Sequence, residues 1–194
     1  MRENKKHHHY ILHKPYGYLS QIVNNQTRRK NKKLLGELYN FPNGTMAIGR
    51  LDETSEGLLL LTTDGKVSEY IRSRKVEKEY YAQVDGIIDD IAIEQLQNGV
   101  EIGFEGIKYI TKPCRAFHIF SVEGLPITNR KVRDERHGPK SWVSIIVNEG
   151  KFRQIRKMTA AVGFPTLRLV RVRIGNIQLE LKTGEVKEVN AFNS

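Results

Sequence analysis

Four successive leucines, Leu58 to Leu61, stand between Gly57 and the sequence Thr62-Thr63-Asp64-Gly65. An unbroken apolar run of that length, closed by turn residues, reads as a buried β-strand. The segment leading into it, Gly49-Arg50-Leu51-Asp52-Glu53-Thr54-Ser55-Glu56, is polar and loop-like. Asp52 is therefore expected on a loop at the mouth of a buried strand, with Arg50 two residues upstream. An isolated aspartate near a glycine is ordinarily a turn or cap residue, so its meaning depends on what the rest of the chain brings to it.

Either side of that strand the pattern alternates between short strands and short helices. Tyr10 to Leu12 reads as a strand broken by the turn His13-Lys14-Pro15-Tyr16-Gly17. Lys66 to Arg72 suits a helix opened by Asp64 or Gly65. In Lys78 to Val84, Tyr80, Ala82 and Val84 share one strand face, with Tyr81 and Gln83 on the other. Asp89 and Asp90 cap a helix through Leu96 that Asn98 and Gly99 end. Residues 107–122 give one or two strands with a break near Pro113, and Trp142 to Val147 gives another. Phe152 to Val162 reads as the best helix, with Phe152, Ile155, Thr159 and Val162 on its packing face and Arg153, Arg156 and Lys157 off it. In Thr166 to Ile174 the alternation slips, and a bulge near Leu169 and Val170 would reconcile the two phases and aim Arg168 or Arg171 outward. Strands with interspersed helices predict an α+β fold.

Charge is distributed in blocks. The 194 residues carry a net +10, made of +8 over residues 1–33, −7 over 34–110 and +9 over 111–194. An acidic middle that holds Asp52 thus lies between two basic ends, an arrangement suited to gripping a polyanion at the flanks. Residues 20–33 and 128–140 are strongly basic and lack periodicity, so both are expected to be loops that meet phosphate. A single cysteine, Cys114, excludes an internal disulfide and a cysteine-rich zinc site and agrees with a reducing compartment. No apolar run reaches the length of a membrane span and no signal peptide is visible, so a cytoplasmic protein with no membrane partner is expected. His7, His8 and His9 cannot all face one ion from a regular element. They read as part of a solvated tail over residues 1–9, and no metal is expected.

Four ordered blocks then tie the chain together: His13-Lys14-Pro15-Tyr16-Gly17, GRLDETSEGLLLLT at 49–62, Lys78-Glu79-Tyr80, and EGKFRQIRKMTAAVGFPTLRLVRVRIG at 149–175. Together they resemble the pseudouridine synthases of the RsuA group, whose signatures include G-R-L-D followed by Thr or Ser and Gly, Lys-Pro-x-Gly and Lys-x-Tyr. Ser55-Glu56-Gly57 and Gly163 to Leu169 are most similar to the RluE-like enzymes, which act on the ribosomal large subunit. The resemblance implies the pseudouridine synthase fold, with a mixed, mostly antiparallel sheet flanked by helices and loops. It also implies a cofactor-free isomerisation of uridine to pseudouridine in ribosomal RNA, in which the C1′–N1 bond is broken and a C1′–C5 bond made.

Carried over position by position, the resemblance makes Asp52 the catalytic carboxylate and Arg156 its basic partner. A cation near that acid would keep it ionised where water is excluded. Tyr80 would stack on the target base and serve its proton transfers, and Arg50 would fill the gap left by the displaced nucleotide, since a guanidinium can stack and bind phosphate at once. Lys14 would hold the active-site loop or the RNA backbone. Lys78, Arg153 and Gln154 are further candidate RNA contacts. Only thirteen residues precede Lys14, too few for the additional RNA-binding module of many RsuA-group members. One catalytic domain over residues 10–190 is therefore expected, with recognition falling to it and to basic loops that include Arg28, Arg29 and Lys30. A monomer with no obligate protein partner is the default. The alternatives are a non-catalytic RNA-binding protein of ribosome assembly and a base-excising hydrolase with a similar aspartate.

Overall fold

The protein is described by a computed structural model that covers residues 6–23, 31–73, 76–126, 128, 132 and 135–192. In chain order its elements begin with β1 (His9–Lys14), β2 (Tyr18–Leu19), β3 (Lys33–Leu34), β4 (Met46–Ala47), β5 (Glu56–Thr62) and α1 (Gly65–Arg72). There follow β6 (Lys78–Asp85), α2 (Asp90–Asn98), β7 (Glu101–Phe104), β8 (Ile107–Ile110), β9 (Arg115–Ile119) and β10 (Lys140–Val147). The chain ends with α3 (Gln154–Ala161), β11 (Thr166–Ile174), β12 (Ile177–Gln178) and β13 (Val186–Val189). Strands with short helices between them make this an α+β protein. The chain forms two compact units, one of residues 1–76 with 174–194 and one of residues 77–173.

In the first unit β1 lies between β13 and β5, antiparallel to both, and its register runs from His9 opposite Thr62 to Lys14 opposite Gly57. All seven residues of β5 are buried. Leu59 and Leu61 pack with Tyr10, Leu12, Leu35 and Phe41, while Leu58 and Leu60 pack with Ile48, Ile71, Val76 and Ile174. Successive side chains point to opposite faces, so both faces of the strand are covered and the leucine run has no polar phase. Its exit is fixed by Asp64, whose carboxylate accepts from the backbone N–H groups of Lys66 and Val67 and opens α1.

In the second unit the strand order is β11, β6, β10, β9. Tyr80 lies opposite Ile145 and Ala82 opposite Val143, and this phase faces a core that includes Leu96 of α2 and Ile155 and Met158 of α3. Asp89 caps α2 through the Ala92 N–H. Gly99 follows it at φ 95°, and the β7–β8 hairpin closes back as Thr111 N–H donates to Val100 O and Val100 N–H to Thr111 Oγ1.

Three expectations are corrected here. The helix expected from Phe152 starts at Gln154, because Arg153 takes a left-handed conformation and Phe152 is 67% exposed. Its buried face is Gln154, Ile155, Met158 and Thr159. Thr166–Ile174 is one unbroken strand in which residues of both phases are buried, Arg168 and Arg171 among them, so neither arginine is aimed outward. Arg168 instead donates from Nη2 to Pro126 O at 2.8 Å, with its guanidinium 6.0 Å from the Trp142 ring centroid. Finally, His9 is the first residue of β1 and is buried, sharing a 2.9 Å hydrogen bond between Nδ1 and Thr62 Oγ1. His8 reaches Glu188 at 2.7 Å and donates its N–H to Thr63 Oγ1, so this part of the histidine run is built into the sheet margin.

Gly99 is a direct test of the second unit. A Cβ there would sit 2.3 Å from Thr111 O, at a φ that L-residues rarely adopt. Gly99→Ala is expected to destabilise the protein by about 2–4 kcal/mol, read as a lower urea midpoint at unchanged slope.

Candidate active site

The first unit positions Asp52. Its loop is anchored one residue earlier by buried Leu51, whose N–H donates to Ser20 Oγ at 3.0 Å while that hydroxyl donates to Leu51 O at 2.7 Å. One residue later Glu53 O accepts the Gly17 N–H at 2.8 Å, and the turn closes through Ser55 N–H to Asp52 O at 2.9 Å. Asp52, half-buried, is thus bracketed by residues fastened to the segment 17–20. Arg50, two residues before it, is exposed.

That segment is in turn fastened from below. Lys14, the last residue of β1, is fully buried and donates from Nζ to Pro15 O at 2.9 Å and Tyr18 O at 2.7 Å. It holds this turn from inside and presents no surface to RNA. Opposite it, Gly57 has φ 107°, a conformation that glycine tolerates at the entry of β5. The Lys-Pro-x-Gly and G-R-L-D blocks, more than thirty residues apart in the chain, form one hydrogen-bonded assembly.

The basic loop meets the same assembly at its far end. Arg28, Arg29 and Lys30 lie outside the described residues, but Lys32 pairs with Glu53 at 2.6 Å. Lys33 lies 5.5 Å from the Tyr18 ring centroid, where β2 and β3 pair in parallel.

The second unit carries the other candidates. Tyr80 is half-buried at the margin of the core that holds Ile155 and Met158, so it lies on the α3 side of β6. Arg156 projects from α3, is half-buried, and reaches Thr166 O from Nη1 at 3.5 Å. Lys157 donates to Gly103 O at 2.7 Å. Lys78 is half-buried, and burial, followed by the neighbouring Arg171 guanidinium, lowers its pKa below the usual lysine range. Arg153, at the N-cap of α3, is half-buried. Gln154 does not fit its expected place at the RNA surface: it is 4% exposed, and its amide donates to Glu149 Oε1 at 2.6 Å while accepting the Lys151 N–H at 2.9 Å. Glu149 opens the fourth block of the sequence but gave no signal of a buried role, because a glutamate before a glycine looks like any turn residue. Among the described residues no group of three His, Cys, Asp or Glu side chains is arranged to hold a metal ion.

The family model for RNA pseudouridylate synthase matches residues 8–161. The chain belongs to that family. The ribosomal large subunit pseudouridine synthase E of Xanthomonas campestris pv. campestris is 40% identical over 167 residues, 85% of this chain and 86% of that protein. The synthase E of Vibrio parahaemolyticus serotype O3:K6 is 38% identical over 92% of this chain and 72% of its own. A crystal structure of a pseudouridylate synthase superposes with a TM-score of 0.73 at 25% identity, over 94% of this chain and 70% of that one. Human RNA pseudouridylate synthase domain containing 1 shares the fold, with a TM-score of 0.55 at 16% identity over 97% of this chain and 80% of its own. The family therefore brings a pseudouridine synthase activity to a chain whose G-R-L-D loop is tied down at three points.

Lys14→Met keeps the length and apolar stem of the side chain but removes the donor to two carbonyl groups. It is expected to cost about 1–3 kcal/mol of stability and to lower turnover more than RNA binding, because the Asp52 loop loosens while surface cations remain. Urea unfolding and single-turnover kinetics on the same preparation check both effects.

Proposed function

We propose that the chain converts one uridine of large-subunit ribosomal RNA to pseudouridine. The observation that carries the reading is the Asp52 loop, whose backbone on either side of the acid is tied to Ser20 and Gly17, in a chain 37–40% identical, over most of its length, to four ribosomal large subunit pseudouridine synthases E. Asp52 acts on the sugar of the target nucleotide, either by attacking it or by abstracting its proton. The C1′–N1 bond breaks, the base turns, and a C1′–C5 bond forms. N1 gains a proton and C5 loses one, so atoms and electrons balance without a co-reactant.

Arg156 supplies the positive charge that the reaction needs. Tyr80, rigid at the core margin, stacks on the base and serves its proton transfers. Arg50 fills the gap left in the RNA when the nucleotide is unstacked, a step that costs a few kcal/mol. Lys78 and Arg153, both half-buried, are the remaining contacts with the RNA backbone. The basic segment that includes Arg28, Arg29, Lys30, Lys32 and Lys33 supplies much of the affinity, through release of counterions from phosphate.

Two experiments test this reading. Carbodiimide labelling with primer extension, across ribosomal RNA from cells lacking the protein, should show the loss of one stop, which returns with the wild-type protein and not with Asp52→Asn. Rescue by Asp52→Asn would remove the catalytic assignment; bound but unchanged RNA would mark an assembly protein, and abasic RNA a hydrolase. Replacing Arg28, Arg29, Lys30, Lys32 and Lys33 with Ser should weaken RNA binding and lower the slope of log K against log salt by about 3–4. An unchanged slope would move the RNA footprint elsewhere.

A further inference from the structure

Arg153 and Arg156 take their positions from one short loop. Between Val147 at the end of β10 and Gln154 at the start of α3 the chain reverses, and Arg153 adopts φ 53° and ψ 33° with no side-chain cap bond. A non-glycine residue in that conformation persists only where its surroundings over-determine it. Glu149, 6% exposed, provides the constraint. Its Oε1 accepts from Gln154 Nε2 at 2.6 Å and from the Lys112 N–H at 3.0 Å, and its Oε2 accepts from Tyr109 OH at 2.6 Å. Gln154 returns its own Oε1 to the Lys151 N–H at 2.9 Å, and its N–H donates to Lys151 O at 3.1 Å. One carboxylate thus joins β8, the segment after it and the first residue of α3.

The identity of each partner is explained by what it must do. Residue 154 must donate to a carboxylate and also accept from a backbone N–H, and a side-chain amide does both. Among the described residues Tyr109 and Cys114 are titratable groups beside the carboxylate, and the Lys151 ammonium lies 4.8 Å from the Tyr109 ring centroid. The Cys114 thiol is pushed up to about 11, first by burial and then by the charge of Glu149.

We infer that Glu149, Gln154 and Tyr109 form a positioning unit that fixes the first turn of α3 and, through it, the placement of Arg153 and Arg156 for turnover. The inference rests on the role proposed for Arg156. It assigns none of the three residues to the reacting atoms. Breaking the unit should therefore lower kcat, with a smaller rise in KM for RNA through Arg153.

The decisive variant is Gln154→Glu. It sets two carboxylates where a carboxylate and an amide now meet, and such a pair must share a proton. Its single-turnover rate on ribosomal RNA from cells lacking the protein, divided by the wild-type rate at the same pH, is expected to be within about threefold of unity near pH 6 and to fall at least about tenfold further near pH 8.5. Adding Glu149→Gln to that variant exchanges the two groups, restores an amide–carboxylate contact, and should make the ratio independent of pH. A flat ratio for Gln154→Glu, or a double variant as pH-dependent as the single one, overturns the inference. Thermal unfolding at both pH values accompanies the rates. If Gln154→Glu melts at the higher pH, Tyr109→Phe takes its place; it removes the phenol hydroxyl and is expected to lower kcat about 3–10-fold with a smaller change in KM, and an unchanged kcat overturns the inference. Arg156→Lys, measured alongside, separates the two claims: a wild-type rate there removes the proposed role of Arg156, whereas the pH response of Gln154→Glu reports on the loop itself.

Discussion

Lys14 carries its side-chain nitrogen into the interior of the first unit and donates it to Pro15 O and Tyr18 O. Burying that group is costly unless its protons find acceptors, and the turn of the Lys-Pro-x-Gly block supplies two of them. The turn so fixed supplies the Gly17 N–H and the Ser20 hydroxyl, which take hold of Glu53 O and Leu51 on either side of Asp52. The backbone on both sides of Asp52 is therefore held by hydrogen bonds from the segment 17–20. A loop tied in this way keeps its residues in place, as a preorganised site requires.

The second unit uses the same device with opposite polarity. There the buried group is an acid, Glu149, and the donors come from Tyr109, Lys112 and Gln154. In both units a buried polar side chain gathers hydrogen-bond partners: Lys14 takes Pro15 O and Tyr18 O close by in the chain, whereas Glu149 takes Tyr109, Lys112 and Gln154 from segments up to 40 residues away. A charge-assisted contact of this kind resists local opening more than a neutral one. It also depends on every partner being present, because a half-satisfied buried charge is worse than none.

Much of this was legible before the fold was known, and some was not. β5 was visible because four adjacent leucines have no polar phase, and α1 and α2 because Asp64 and Asp89 precede them as caps. The start of α3 was misplaced because periodicity counts Phe152 as apolar without knowing that Arg153 turns left-handed beneath it. The slip in Thr166–Ile174 was read as a bulge because alternation assumes one wet face; this strand buries both phases, and its arginines are absorbed by partners such as Pro126 O rather than by water. His9 was read as part of a tail because a run of three histidines gives no period, whereas its pairing with Thr62 is set by the β1–β5 register.

The sequence by itself determined the family, through four ordered blocks that span most of the chain. It also determined the α+β class, because strand and helix periods are local properties. Only the tertiary structure decided which polar residues face inward. Gln154 read as an RNA contact in the sequence and is buried in the fold, Lys14 read as holding either a loop or the RNA backbone and is buried beneath its own turn, and Glu149 read as a turn residue and proves to be the acceptor for three groups. The reason is physical: whether a polar side chain serves solvent or the interior depends on where its hydrogen-bond partners lie, and here those partners are between 1 and 40 residues away in the chain.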